Sequence, residues 1–265
     1  MEQKHLLQKY YSSINYSPFV FYCDLKQMLH SIKAIVLRTT KYTDNSLIVN
    51  AYTDRFGLQS YIVRGVHSRT SKVKVNYFQG LTLLEMIVTK TEKTQLERIN
   101  EVTGAYSLII EFDHIKNAIA LFLNELLYKT IREEESNPKL FGFLINAFEI
   151  LGLKENKCAN FHLVFMLQFA KYLGFYPTEN YSGENKIFDL IEGRFLNKAP
   201  HHIHYAGETL SRFIYELMNI KFETSEQVKI TNAERKQLVS IFLDYYKLHN
   251  ALSSGLTSHL ILEQL

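Results

Sequence analysis

Between Ile32 and Val102 the apolar positions come in short runs of branched and aromatic residues, broken by turn chemistry. Ile32 to Thr39, Ser46 to Thr53, Leu58 to Arg64, Leu81 to Thr89 and Gln95 to Val102 each read as a strand. Asp54-Arg55-Phe56-Gly57 joins the second to the third as a hairpin turn. Gly57 supplies the left-handed backbone such a turn needs. The stretch from Gly65 to Gln79 separates the third and fourth strands. Five short strands in this order predict a small closed barrel of the OB type. Closure removes the edges that a sheet this small would otherwise expose.

After Thr103 the apolar period becomes helical. Asp113 is placed to cap a helix that buries Ile115, Ala118, Ile119, Phe122 and Leu126. Asn137-Pro138 marks a second start, with proline at the first helical position, where its missing N–H costs nothing. Phe141, Leu144, Ile145, Phe148 and Leu151 form the stripe of that helix, and Gly152 ends it. A third helix runs from about Ala159 to Leu173, stopping at Gly174. Another falls within Tyr205–Asn219. Thr231-Asn232-Ala233-Glu234 is a capping box that opens a long helix to about His249. Phe188 to Phe195, with Gly193, reads as a small hairpin.

The fold class is therefore α+β: an N-terminal OB barrel followed by a mainly helical domain with a β insertion near residues 186–205. The barrel domain is placed at 28–103 and the helical domain at 104–265. Residues 1–27 are polar and Tyr-rich and read as an appended segment, translated from upstream of a start at Met28. They lack the charged, apolar and small-residue regions of a secretory signal.

Composition fits such a molecule. Apolar residues make up 46% and charged residues 22%, the balance of a globular chain. Two cysteines, Cys23 and Cys158, cannot build a disulfide framework, which fits a reducing compartment. No stretch is long and apolar enough to span a bilayer.

The net charge of +3 hides an asymmetry. Residues 1–100 hold 14 Lys and Arg against 7 Asp and Glu, while residues 101–265 hold 16 against 20. From Arg55 through Leu84 there is no acidic residue. That stretch carries Arg55, Arg64, Arg69, Lys72 and Lys74, with His67, and interleaves Phe56, Tyr61, Tyr77 and Phe78. Cations with stacking rings are the recipe for a single-stranded nucleic-acid groove; a solvated cationic loop is the plainer alternative.

Signatures of common chemistries are missing: there is no P-loop, G-x-G-x-x-G, H-E-x-x-H or G-x-S-x-G. His201-His202-Ile203-His204 invites a metal reading, because His202 and His204 share a face on a strand. Pro200 just before it favours an exposed loop. The acidic run Glu133-Glu134-Glu135 reads as a solvated helix–loop junction, and Tyr245-Tyr246 as core.

The order of these features resembles the RecO family of recombination mediators. The likeness begins at Ala34-Ile35-Val36-Leu37-Arg38-Thr39, with Tyr42 and Asn45-Ser46 following. It continues through Leu47-Ile48-Val49, Tyr52-Thr53, Phe56-Gly57, Arg64-Gly65, Ser68-Arg69-Thr70-Ser71-Lys72, Phe78-Gln79 and Leu83-Leu84-Glu85. In the helical half it rests on Asn124-Glu125-Leu126-Leu127, Asn137-Pro138, Phe141 with Leu144, and Leu173-Gly174-Phe175-Tyr176-Pro177. It covers about residues 29–265. Many members carry a four-cysteine zinc site after that last segment; Thr178 to Phe195 holds no cysteine, so no metal is carried over and the chain resembles zinc-free members of the Bacteroidetes type. Gly80 stands where a proline is common.

The resemblance implies a non-enzymatic DNA repair protein of the cytoplasm, working at the nucleoid and needing no cofactor. Such proteins bind single- and double-stranded DNA and anneal complementary strands. They cooperate with RecR, recognise the acidic-apolar C-terminal tail of single-strand binding protein, and help load RecA. Arg38, Arg55, Arg64, Arg69, Lys72 and Lys74 are the phosphate-binding candidates, and Tyr42, Tyr61 and Tyr77 the stacking candidates, with barrel packing as the alternative for each ring. Three rivals stay open: an OB-fold RNA-binding factor, a metal-dependent hydrolase built around His201–His204, and a protein adaptor without nucleic-acid affinity.

Overall fold

A computed structural model describes residues 28–66, 73–90, 96–108, 113–154, 158–253 and 255–262. Its first five strands are β1 (Met28–Thr43), β2 (Ser46–Thr53), β3 (Gly57–Arg64), β4 (Thr82–Lys90) and β5 (Glu97–Ser107). They close into a barrel in the order β1-β2-β3-β5-β4. β1 is long because it serves two partners: Met28–Ile35 pairs with β4, and Ala34–Thr43 pairs with β2. An irregularity between Val36 and Arg38 bends it from one partner to the other. Sequence periodicity catches only the apolar middle of this strand, since its second half, Thr39 to Thr43, is polar on both faces. β5 likewise continues to Ser107, past the point where the period changes.

Ile32, Ala34, Val36, Val49, Val63 and Met86 point inward and are almost completely buried. A 3-10 turn at Val75–Phe78 lays Phe78 against one end of this core, and Thr39 Oγ1 donates to the Phe78 carbonyl at 2.7 Å. Gly57 sits at φ +63 in the β2–β3 turn, as its position predicts.

The helical body comprises α1 (His114–Thr130), α2 (Pro138–Leu153), α3 (Phe161–Tyr172), α4 (Glu208–Met218), α5 (Asn232–Leu248) and the short α6 (His259–Leu262). Its caps are those the residue types demand. Asp113 accepts from Lys116 N at 3.0 Å, and Asn137 from Leu140 N at 3.1 Å. Thr231 and Glu234 exchange both bonds of the capping box. α3 is buried on nearly every side, with Phe161, Phe165 and Phe169 in the centre of the body. Truncating any of these rings to alanine removes about 3–5 kcal/mol.

One expected core position fails: Ile115 is 46% exposed. It lies at the mouth of a small cavity shared with Ile119, His162 and Leu262, which leaves it half covered. Lys116 is buried there instead, its ammonium donating to the Gly152 carbonyl at 3.1 Å. The insertion is a three-stranded sheet, β6 (Ile187–Asp189), β7 (Arg194–Leu196) and β8 (Tyr205–Ala206), in the order β7-β6-β8. The hairpin between β6 and β7 turns at Gly193, φ +64.

Barrel and body share a core. Ile35, Leu37, Tyr52 and Leu81 project away from the barrel interior and pack with α1 and α2 residues. Asn124 Nδ2 donates to the Leu37 carbonyl at 2.9 Å, Leu58 N to Glu133 O at 2.8 Å, and Ser136 Oγ to Asp54 O at 2.8 Å.

Candidate nucleic-acid interface

The pairing registers decide which cations share a face, because directly paired residues point to the same side of a sheet. Arg38 pairs with Asn50, and Asn50 with Ser60. Thr40 pairs with Ile48, Ile48 with Ile62, and Ile62 with Arg98 of β5. Ser46 pairs with Arg64. These residues are out of phase with the interior set Val36, Val49, Ala51, Tyr61 and Val63, so they form the outer face of β1-β2-β3-β5. The same outer face is split in two. Its Ile35–Tyr52 end is covered by the helical body, while the Arg38–Arg64–Arg98 end is open.

Three arginines thus surround a floor of Ile48 and Ile62, flanked by Ser46, Asn50 and Ser60. Ser60 Oγ donates to Asn50 Oδ1 at 2.6 Å, which fixes the amide. Arg64 is one strand and two residues from Arg98, about 8 Å between Cα atoms; Arg38 to Arg98 spans roughly 16 Å. Among the described residues, no carboxylate is within ion-pair distance of any of the three. Arg38 is held by α1: its guanidinium donates to Tyr128 Oη at 3.2 Å and lies 5.1 Å from that ring's centre. Tyr42, 59% exposed near the end of β1, flanks the face. Lys41 beside it is engaged by Asp44 at 2.6 Å.

The other expected residues scatter. Arg55 is exposed in the β2–β3 turn. That turn lies at the far end of the hairpin, seven residues and about 23 Å from Arg64. Nearby Gly57 abuts the Glu133 and Glu135 backbone, so Arg55 stands close to that acidic run. Lys74 is exposed ahead of the 3-10 turn, and Tyr77 within it is half-buried. Arg69, Lys72 and His67 lie outside the described residues, as do residues 1–27.

Tyr61 is corrected outright. It is completely buried in the barrel core and offers no ring to a base. Its phase places it inward, opposite Glu97. Burial pushes the Tyr61 hydroxyl far above the ordinary tyrosine range, and Glu97 reinforces this. Burial likewise raises Glu97, against the pull of Lys90.

Arg98 is what sequence reasoning missed. It lies between acidic Glu97 and the Asn100-Glu101 pair, outside the acid-free window, so its local charge looked balanced. The strand phase undoes that balance: Glu97 turns inward and is 5% exposed, leaving Arg98 alone on the outer face. Alternation in β5 was the available signal.

The histidine cluster has a structural role. Residues 201–204 form a loop rather than a strand. His202 Nε2 lies 3.3 Å from Oδ2 of buried Asp189, whose other oxygen accepts from Ile191 N and Glu192 N. A carboxylate is therefore adjacent in space though not in sequence. Among the described residues, no group of three or more His, Cys, Asp or Glu is placed to hold a metal ion. No described helix is long and apolar enough to cross a membrane.

A closed OB barrel with an arginine-bearing outer face, backed by a helical body that shares its core, defines the class: an OB-barrel protein with a helical partner domain. Comparison with known proteins is more specific. Residues 28–108 match the family description "Recombination protein O N terminal", and residues 111–254 match "Recombination protein O C terminal". The chain is 39% identical over 220 residues to the DNA repair protein RecO of Flavobacterium psychrophilum, covering 82% of this chain and 90% of that one. It is 36% identical over 224 residues to that of Phocaeicola vulgatus, covering 84% and 92%. With that of Azobacteroides pseudotrichonymphae it shares 30% over 223 residues, covering 84% and 92%. The chain belongs to the RecO family of DNA repair proteins.

Proposed function

We propose that this protein is a non-enzymatic recombination mediator that holds DNA on the outer face of β1-β2-β3-β5. The observation that carries the reading is the set Arg38, Arg64 and Arg98, gathered on one open face and, among the described residues, unpaired by carboxylate. Guanidinium groups displace counterions from phosphates without reading bases, so binding is sequence-independent and falls steeply with salt. Neutralising phosphates on two strands at once lowers the repulsion that opposes pairing, and this is the chemical basis of strand annealing. Single and double strands are both ligands on this reading.

The division of labour falls after β5. The barrel contacts DNA, and the amphipathic helices of the body dock protein partners: RecR, the acidic-apolar tail of single-strand binding protein and, through them, RecA. The site of work is the cytoplasm, at the nucleoid. The test is annealing of complementary oligonucleotides, bare and coated with single-strand binding protein. The wild type accelerates both, and a variant with all three arginines replaced by glutamate accelerates neither. A variant that anneals normally refutes the assignment, and a preference for RNA over DNA in competition supports an RNA-binding factor instead.

A further inference from the structure

The outer-face arginines account for backbone contacts but leave one neighbouring feature unused. A groove of about 700 Å³ runs between the Val75–Phe78 turn, the adjoining ends of β4 and β5, and α1. Asn76, Tyr77, Gln79, Ala105, Asn117 and Leu121 are among its lining residues, and no described lysine or arginine is. Among the described residues a phosphate finds no cation there. The lining offers instead a half-buried aromatic ring, an exposed leucine and three carboxamides. That is a surface for a flat, neutral, hydrogen-bonding group. Two of the carboxamides, those of Asn76 and Gln79, are exposed and open to a ligand, whereas the Asn117 side-chain oxygen is buried. Each carboxamide offers both an acceptor and donors, the complement of a base edge.

The groove also connects to the arginine face. Asn117, Leu121, Asn124 and Tyr128 recur at helical spacing and so lie along one side of α1. Asn117 and Leu121 line the groove, Asn124 sits against Gly80 and bonds Leu37 O, and Tyr128 holds Arg38. From Asn117 to Tyr128 is about 17 Å along the helix axis, a distance that a few nucleotides of single strand bridge. Lys74, exposed three residues before Tyr77, stands at the groove's flank for a phosphate.

We propose that this groove takes one unstacked nucleobase of a bound single strand, stacked on Tyr77 and hydrogen-bonded by the exposed carboxamides of Asn76 and Gln79. The proposal rests on the DNA-binding reading above. Every nucleobase carries a suitable N–H, so the site selects for the presence of a base and for single strands, not for sequence. Paired bases in a duplex are withheld from it.

Photocross-linking of a short oligothymidylate carrying 5-iododeoxyuridine to the full chain, with peptide mapping, tests this directly. The expected adduct is on the peptide that contains Tyr77. Tyr77→Ala should weaken single-strand binding about tenfold, leave duplex binding unchanged, and leave the dependence of log affinity on log salt unchanged. Gln79→Leu removes a hydrogen-bonding group from the exposed lining, and it gives the same readout if Tyr77→Ala loosens the barrel end. Adducts confined to other peptides, or full single-strand affinity in both variants, overturn the groove while leaving the arginine face standing. Failure of the wild type to bind any DNA overturns the functional reading itself.

Discussion

Gly57→Ala should be the most damaging small substitution in the barrel, and its cost can be built from two separate sources. The first is backbone strain. At φ +63 a side chain meets its own carbonyl, which costs about 1–2 kcal/mol. The second is a collision: an added Cβ would fall 2.5 Å from the Glu135 carbonyl oxygen and against that of Glu133. Both are backbone atoms and cannot swing aside, so the turn must retreat from the 133–136 loop. Retreat breaks Leu58 N to Glu133 O and Ser136 Oγ to Asp54 O, each worth about 1 kcal/mol. The total is about 3–4 kcal/mol. Gly65→Ala is the control: its φ is +78, yet among the described residues nothing lies within 4 Å of the new Cβ. It should cost the strain alone. At roughly 2 °C per kcal/mol for a chain this long, Gly57→Ala should lower the midpoint in thermal unfolding followed by circular dichroism by about 6–8 °C and Gly65→Ala by about 2–4 °C. Equal shifts would show that the barrel turn does not lean on the helical body, and the shared core would have to be redrawn.

Other consequences concern single groups. Glu125 clamps the 257–258 segment, accepting from Thr257 N and Ser258 N and pairing with Lys129 at 2.9 Å. Burial alone would raise it, but the Ser258, Lys129 and Thr257 bonds hold its carboxyl down at about 2. Its contribution is therefore present above the unfolded carboxylate range, near pH 4–5, and disappears as pH falls toward 2. Glu125→Gln should cost about 2 kcal/mol in urea unfolding at pH 7, with the difference from wild type closing at low pH. His162 is buried with neither ring nitrogen bonded, and burial, aided by Arg235, lowers it to about 3. The folded state keeps it neutral, so its stabilisation is full above the unfolded histidine value of 6.5 and is lost as pH falls from there toward 3. His162→Phe should flatten the stability profile across that window, and a profile as steep as wild type would contradict the assignment. Tyr61→Phe removes a buried hydroxyl without a partner, so stability should hold or rise by up to about 1 kcal/mol while DNA affinity stays unchanged. Weaker DNA binding would return Tyr61 to the interface.

What could be read from the chain followed from how local its cause was. β2, the capping box at Thr231, the start at Asn137-Pro138 and the Gly193 hairpin depend on neighbours within a few residues, and all appear in the structure. The polar half of β1 was invisible because its hydrogen bonds go to a strand while its side chains face water. Ile115 fits the helical period, but it stands half-exposed at a cavity mouth. The candidate site was legible as a charge excess but not as a surface. Arg55 and Arg64 are nine residues apart and stand at opposite ends of one hairpin. Arg98 joins Arg64 only through the parallel β3–β5 pairing that closes the barrel, an adjacency no local pattern encodes. Tyr61 carries the right chemistry for stacking and the wrong phase for it.

DNA binding on this face requires that Arg38, Arg64 and Arg98 act together on phosphates. Replacing all three by glutamine removes charge without adding any, and fluorescence anisotropy of a labelled single strand across a salt series reads the outcome. Each phosphate left without its arginine should reduce the magnitude of the slope of log affinity on log salt by about 0.7, so the triple variant should fall short of wild type by about 2. A triple variant that folds, binds and keeps the wild-type slope would place the DNA on another surface.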